Sequence, residues 1–199
     1  MSIVANPPSG PFGIPPGPVR RFSVDEYHRM IEAGVLTEND TSELLEGWIV
    51  LKIAHNPHHD FAVDKGNELL TALLPSPWRV RVQSAITTSD SEPEPDLCVA
   101  LGPALRYRDR HPGPNDIAIL IEIANTTLAF DRTAKSRMFA RAGIACYWIV
   151  NLIDRQVEVY TDPAGGAFAS RKDFRDGDLV PVTIAGQTPG HIAVSELLG

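Results

Sequence analysis

The chain has 199 residues, of which 43% are hydrophobic and 22% are charged, a composition typical of one folded domain with a substantial core. Its 18 basic and 25 acidic side chains leave a formal net charge of −7, which argues against avid, nonspecific binding to a nucleic-acid backbone. Neither a basic-then-apolar leader nor an apolar run of membrane-spanning length occurs, so we expect a cytoplasmic protein that does not enter a membrane.

The N-terminal segment is rich in residues that prevent packing, because the first 20 residues contain six prolines and three glycines. We expect a flexible arm over residues 1–20 and a single domain over residues 21–199.

Ser23 opens the capping-box pattern Ser-Val-Asp-Glu, which predicts a helix that Gly34 ends. A second short helical segment is expected over residues 42–45 and would carry Glu43.

The middle of the chain alternates between strand-like and helix-like patterns. Composition predicts strands over residues 48–53, 79–83 and 96–101, and a helix that begins at His58 and ends before Pro75. The loop that follows is crowded with basic side chains, namely Arg106, Arg108, Arg110 and His111.

The C-terminal third continues the same alternation. Asp131 is expected to cap a helix that runs to about Ala142 and is closed by Gly143. Residues 147–150 and 156–160 are expected to form a β-hairpin, followed by loops, short strands and a last helical turn over residues 194–197. Together these elements predict an α/β fold in which a mixed sheet is flanked by helices.

The most informative stretch covers residues 116–125, a run of β-branched and small apolar side chains that contains one carboxylate, Glu122. Such a run is typical of a central strand covered on both faces. Alternation would place the four isoleucines on one face and Glu122 on the other, inside a packed layer. A buried carboxylate needs cations, hydrogen-bond donors or a metal, so the rest of the chain should supply a partner.

Three residues are candidates for that partnership. Asp96 opens a buried-type strand directly after a proline, which would hold its short carboxylate at the sheet edge. Lys135 shares one helix face with Met138 and Phe139, an unusual place for a lysine unless a carboxylate lies nearby. Glu43 is a further acid that could join them. The arginines near residues 106–110, with Arg132, Arg137 and Arg141, flank the same elements.

Two or three carboxylates with a lysine suit a hard divalent cation and an activated water. Oxygen ligands favour Mg²⁺ or Mn²⁺, which also bind phosphate oxygens. The cysteines Cys98 and Cys146 form no C-x-x-C pair, so they do not indicate a zinc site and are expected to be small buried hydrophobes.

Simpler interpretations remain open for each candidate. Asp96 could cap a turn at a strand start, and Glu43 could be an ordinary surface acid of a helix. Lys135 could pair with Asp131 at i−4 on a helix surface, a contact worth a few tenths of a kcal/mol. His59 is most simply a helix-start or core histidine. The arginines are most simply solvated.

Several blocks of the sequence resemble the Uma2 family of endonucleases, which belongs to the PD-(D/E)XK restriction-endonuclease-like superfamily. Residues 21–34, followed by Glu43-Leu44-Leu45-Glu46-Gly47, resemble the opening of the family sequence. Ser91-Glu92-Pro93-Glu94-Pro95-Asp96 resembles the S-E-P-x-P-D block of the family. Later blocks are Ile121-Glu122-Ile123, Asp131-Arg132-Thr133-Ala134-Lys135, residues 139–144 and Tyr147-Trp148-Ile149-Val150. The resemblance covers most of the chain from Arg20 to Tyr160.

This resemblance implies a restriction-endonuclease-like fold and a Mg²⁺- or Mn²⁺-dependent endonuclease that acts on nucleic acid, with DNA favoured. It implies a catalytic set of Glu43, Asp96, Glu122 and Lys135, in which the three acids bind the metal. The lysine would have moved from the position of Ala124 to the following helix. His59 matches a recurrent histidine of the family.

The chain departs from the family pattern at two places. Residues 123–125 read Ile-Ala-Asn, which removes a hydroxyl near the site, and Gly66 replaces an apolar residue in a helix at a cost of up to roughly 1 kcal/mol. The competing hypothesis is a non-catalytic interaction or regulatory module that has kept the fold. Sheet edges and apolar strands near Tyr160 also suggest a homodimer.

Overall fold

The computed structural model describes residues 20–52 and 54–199, so the expected arm over residues 1–20 lies, apart from Arg20, outside the described residues. Its centre is a six-stranded mixed sheet in the order β3, β4, β5, β6, β7, β8. The strands are β3 (Trp78–Val82), β4 (Leu97–Leu101), β5 (Ile117–Ala124), β6 (Cys146–Asn151), β7 (Gln156–Ala164) and β8 (Ala167–Arg175). Only β5 and β6 pair in parallel, since the chain crosses between them through a helix.

The other elements of the described residues are two hairpins, five α-helices, a π-helical turn and short 3₁₀ helices. The hairpins are β1 (Ser42–Leu45) with β2 (Trp48–Leu51), and β9 (Leu179–Ile184) with β10 (Gln187–Ala193). The helices are α1 (Val24–Glu32), α2 (Pro57–Leu73), α3 (Leu128–Phe130), α4 (Ser136–Ala142) and α5 (Val194–Leu198), with a π-helical turn (Asp131–Lys135) joining α3 to α4. No helix within residues 20–52 and 54–199 is long and apolar enough to cross a membrane.

The sheet is covered on both faces, as the apolar run of β5 predicts. On one face α2, α5 and the β9–β10 hairpin pack against Ile119, Ile121 and Ile123. On the other face α3 and α4 pack over Leu120 and Ala124. Ile117 joins this second core, contrary to simple alternation, because the β4–β5 pairing shifts register between Val99 and Ala100.

Most elements form where local patterns place them. The capping box is confirmed, since the Ser23 hydroxyl accepts from the backbone N–H of Glu26 and the Glu26 side chain accepts from that of Ser23. Gly143 ends α4 at φ +81°, and residues 151–155 join the predicted hairpin of β6 and β7. Gly66 has a packing reason, because a Cβ there would lie 2.7 Å from a methyl carbon of Leu97. Glycine therefore lets α2 lie close to the sheet.

Three sequence predictions are wrong. Residues 42–45 form a strand and not a helix, because Glu46 (φ 50°) and Gly47 (φ 80°) make a tight turn that pairs β1 with β2. Asp131 does not cap a helix, since the helix already begins at Leu128 and Asp131 lies inside it. The segment after Tyr160 contains long strands, although the predicted C-terminal helix is confirmed as α5.

Candidate metal and catalytic site

One cavity of about 530 Å³ collects the residues that the sequence singles out. Its lining includes Glu43 from β1, Asp96 before β4, Glu122 from β5 and Lys135 from the π-helical turn. The N-terminal end of α2 and the loop after β5 form further parts of the wall. Strand ends, a hairpin and a helix therefore bring side chains from four distant parts of the sequence to one place.

Glu122 and Lys135 form the centre of this cavity. Glu122 is buried at 4% exposure, and the Lys135 Nζ donates a hydrogen bond to its Oε1 at 2.8 Å. Burial raises the pKa of Glu122, and the positive charge of Lys135 lowers it by a smaller amount. The negative charges of Asp96, Asp131 and Glu43 raise it again, so the pKa stays well above its usual range. The site therefore contains more negative charge than its single lysine offsets.

Lys135 faces three carboxylates and not the solvent. Besides Glu122, its Nζ lies 3.9 Å from Glu43 Oε1 and 3.9 Å from Asp131 Oδ1. Burial alone would lower the pKa of the ammonium, yet the surrounding acids raise it above its ordinary value, so Lys135 stays protonated. The contact with Asp131 exists, but it lies inside the cavity rather than on an exposed helix surface.

Glu43 reaches the site from a strand, because the β1–β2 hairpin is anchored to the segment before β4. The backbone N–H of Glu92 donates to the Leu44 carbonyl at 2.7 Å, and that of Glu94 donates to Glu43 Oε2 at 3.0 Å. These two bonds place the Glu43 carboxylate beside the chain segment that leads into Asp96.

Asp96 is held by two donors on one of its oxygens. Its Oδ2 accepts from the backbone N–H of Ile123 at 2.8 Å and from His59 Nε2 at 3.1 Å. Burial would raise the pKa of Asp96, but the hydrogen bond and charge of His59, with the Ile123 N–H, lower it below its ordinary value. The pKa of Asp96 is therefore lowered in a cavity where the pKa values of Glu122 and Asp131 are raised.

The three predicted acids share a pattern that fits a hard cation. In each, a protein donor bonds to one oxygen: Oδ2 of Asp96, Oε1 of Glu122 and Oε2 of Glu43. No described residue donates a hydrogen bond to the other oxygen of any of the three. All three acids line the cavity, and oxygen donors with excess negative charge are the ligands that Mg²⁺ and Mn²⁺ prefer. The donor set therefore has the chemistry that a divalent cation prefers.

Comparison with known proteins shows the family of this chain. Residues 24–193 match the model of a family, Uma2, that is described as "Putative restriction endonuclease". The chain belongs to the Uma2 family. A search of curated proteins found no match.

The Uma2 chain is also similar to a solved structure, described as a "putative nuclease belonging to DUF820 from Anabaena variabilis ATCC 29413". The two chains share 18% sequence identity, the match covers 89% of this chain and 97% of the other, and the TM-score is 0.66. At this identity the likeness concerns the fold, and it confirms the predicted restriction-endonuclease-like α/β architecture.

Two residues of the Uma2 site were not assigned to it from the sequence. Asp131 is 2% exposed and supplies a fourth carboxylate, whereas the sequence analysis treated it as a helix cap. His59 bonds to Asp96, whereas it was expected to be a helix-start or core residue. The i, i+4 spacing indicated a contact between Asp131 and Lys135, but only the tertiary structure shows that both residues line the cavity.

A histidine pair lies at the edge of the cavity. The rings of His55 and His59 stack with centroids 3.9 Å apart, and Asp60 Oδ1 lies 3.5 Å from Nδ1 of His59 and 3.8 Å from Nδ1 of His55. Donor atoms of these three residues lie within 4.8 Å of one another. Among the described residues these donor atoms form one compact group, whereas the oxygens of Glu43, Asp96 and Glu122 do not all lie within 4.8 Å of one another.

The arginine groups pair with acids outside the cavity. Arg106 and Arg110 both pair with Asp116, at 2.8 and 2.7 Å, and Arg132 pairs with Glu158. Arg137 pairs with Glu46, and Arg141 with Glu46 and Asp90. None of these arginines lines the cavity among the residues that the structure describes.

Proposed function

We propose that this Uma2 protein is a Mg²⁺- or Mn²⁺-dependent nuclease that hydrolyses phosphodiester bonds in nucleic acid, with DNA as the first substrate to test. The observation that carries the proposal is that Asp96, Glu122 and Glu43 line one cavity with Lys135, each with one oxygen bonded to the protein and one left for a ligand. The family description and the nuclease named for the similar structure support the same reaction class.

The side chains divide the chemical tasks between them. Asp96, Glu122 and Glu43 would hold the cation through the oxygens that receive no protein donor. When bound, the ion stabilises the charge that develops on the phosphoryl oxygens and lowers the pKa of a coordinated water. The Lys135 ammonium orients the attacking water or offsets negative charge on the phosphate, because its proton is held by the surrounding acids.

The experiment is a nicking assay on supercoiled plasmid DNA with Mg²⁺ or Mn²⁺. We expect Glu122→Gln, which keeps the shape and removes the charge, to lower the nicking rate by at least about 100-fold. Lys135→Met should also be strongly impaired. Glu68→Gln makes the same chemical change on the exposed surface of α2, at 70% side-chain exposure, and should keep the wild-type rate.

Two results would contradict the proposal. Equal nicking by the wild type and Glu122→Gln would mean that a contaminant cleaves the plasmid. Absence of cleavage of plasmid, single-stranded DNA and RNA with either ion would favour a non-catalytic module that has kept the fold.

A further inference from the structure

We infer that His59 is a positioning residue: it fixes the rotation of the Asp96 carboxylate so that Oδ1, and not Oδ2, is presented to the metal. This inference rests on the proposed function, because it concerns how that site binds its cation. Nothing in the family match assigns a role to this histidine.

The first argument is the distribution of donors on Asp96. Oδ2 accepts from Ile123 N–H, which belongs to the neighbouring strand, and from His59 Nε2, which belongs to α2. One donor would leave the carboxylate free to rock about its Cβ–Cγ bond, whereas two donors from different elements define its plane. Because no described residue donates to Oδ1, and Asp96 lines the cavity, Oδ1 is the oxygen left for a ligand.

The second argument is that the imidazole is itself held. The Asn56 side chain caps α2 by accepting from the backbone N–H of His59 at 3.1 Å, which fixes the first helical turn. The ring stacks on His55, and the His59 side chain is 8% exposed. The ring therefore has little freedom to turn away from Asp96.

The third argument is that His59 has no competing hydrogen bond. Its Nδ1 is buried and finds no hydrogen-bond partner among the described residues, since Asp60 Oδ1 at 3.5 Å is too distant. A buried nitrogen without a partner costs stability, so the ring is not placed there for the sake of the fold. Its one hydrogen bond goes to Asp96, which indicates that orienting this carboxylate is its role.

The predicted consequence is a loss of metal affinity when the donor is removed. Groups that orient metal ligands typically contribute about 10- to 100-fold in affinity. His59→Leu keeps apolar bulk at the position but cannot donate, whereas His59→Gln retains an N–H that can reach Asp96. We expect His59→Leu to weaken Mn²⁺ binding by at least about 10-fold and His59→Gln to stay within about 3-fold of the wild type.

The experiment is calorimetric titration of the full chain with Mn²⁺, which does not depend on catalysis. Thermal unfolding of each variant shows that it is folded, and His59→Gln keeps the comparison informative if His59→Leu does not fold. Asp60→Asn tests the alternative that His59 and Asp60 bind the ion together: an unchanged affinity supports the positioning role, and a loss of affinity overturns it. Asp64→Asn makes the same change at an exposed position of α2 and is the control that should keep the wild-type affinity.

The outcomes separate this inference from the proposed function. If the wild type binds Mn²⁺ no better than Glu122→Gln, both fail. If the wild type binds Mn²⁺ and His59→Leu binds it equally well, only the role of His59 is overturned. If His59→Leu and His59→Gln lose affinity equally, the loss is not caused by the missing hydrogen bond to Asp96, and the inference is also overturned.

Discussion

At the scale of single residues, the site is built at the expense of stability. Asp96, Glu122, Asp131 and Glu43 are each at most 6% exposed, and only one lysine lies among them. Like charges in a buried space repel, and the raised pKa of Glu122 shows that its ionised form is unfavourable in the folded protein. Such strain is expected where function requires a ligand to complete the charge balance.

We predict that Glu122→Gln is more stable than the wild type when metal is removed. The variant keeps an acceptor for Lys135 and loses one negative charge, so its midpoint of thermal unfolding in chelator should rise by about 3 °C, or about 1 kcal/mol. Excess Mg²⁺ should stabilise the wild type and reduce the difference, because a ligand that binds only the folded state shifts the unfolding equilibrium. A lower midpoint for the variant in chelator would mean that Glu122 is needed for folding itself.

At the scale of elements, the β1–β2 hairpin decides whether the site is complete. It forms a separate two-stranded sheet, and its attachment to the rest of the molecule includes the Glu92 and Glu94 backbone bonds. The turn residue Gly47 adopts φ +80°, and a Cβ there would lie 2.6 Å from the Cβ of Arg21. Only glycine satisfies both the backbone conformation and the close approach.

We predict that Gly47→Ala destabilises the protein and weakens metal binding through Glu43. Left-handed backbone and steric overlap each cost about 1 to 2 kcal/mol for a residue with a Cβ. Gly165→Ala is the matched control, because Gly165 also has positive φ (60°) but nothing lies within 4 Å of its Cβ position. Urea unfolding and Mn²⁺ titration of both variants test this, and equal effects of the two substitutions would refute a role for the close contact with Arg21.

At the scale of the whole molecule, charge is balanced locally by buried ion networks. Glu158 is fully buried and accepts from Arg132, Asn151, Gln156 and Tyr160. Burial alone would raise the pKa of Glu158, but these donors lower it to about 2. The pKa of Asp116 is likewise lowered to about 2. The hydrogen bond from Arg110 contributes most and outweighs the effect of burial, and Gly113 N–H and Arg106 lower the pKa further.

These shifts predict how stability depends on acid. A carboxyl group whose pKa is lowered by folding stabilises the folded protein at every pH above the pKa that the group has in the unfolded chain. This contribution is lost as the pH falls toward the pKa that the group has in the folded protein. For Glu158 the change from 4.5 to about 2 corresponds to at most about 3 kcal/mol, lost between about pH 5 and pH 2. Asp116 adds less, because its arginine partners are half exposed.

The measurement is the free energy of unfolding in urea from pH 6 down to pH 2.5. Glu158→Gln should be less stable than the wild type at pH 6 and should lose less stability on acidification. Parallel curves for the two proteins would show that Glu158 does not titrate with a lowered pKa.

The sequence by itself determined those features that depend on neighbours along the chain. The capping box at Ser23, the proline-bounded helix, the central strand and the β6–β7 hairpin follow from local periodicity and turn chemistry, and all are observed. The need to compensate Glu122 was also evident, because an acid within an apolar run cannot be left alone. That need, with the family resemblance, indicated Asp96, Lys135 and Glu43, and all three line one cavity with Glu122.

Only the tertiary structure decided how these groups meet. Residues 42–45 have a pattern compatible with a helix, and they form a strand because pairing with β2 and Glu92 stabilises them from outside the segment. Asp131 and His59 join the site because the sheet brings separate segments together. Arg132, Arg137 and Arg141 likewise pair with acids that are distant in sequence. Which oxygen of Asp96, Glu122 and Glu43 is left without a hydrogen bond also depends on donors that are distant in the sequence, and a local sequence pattern cannot encode them.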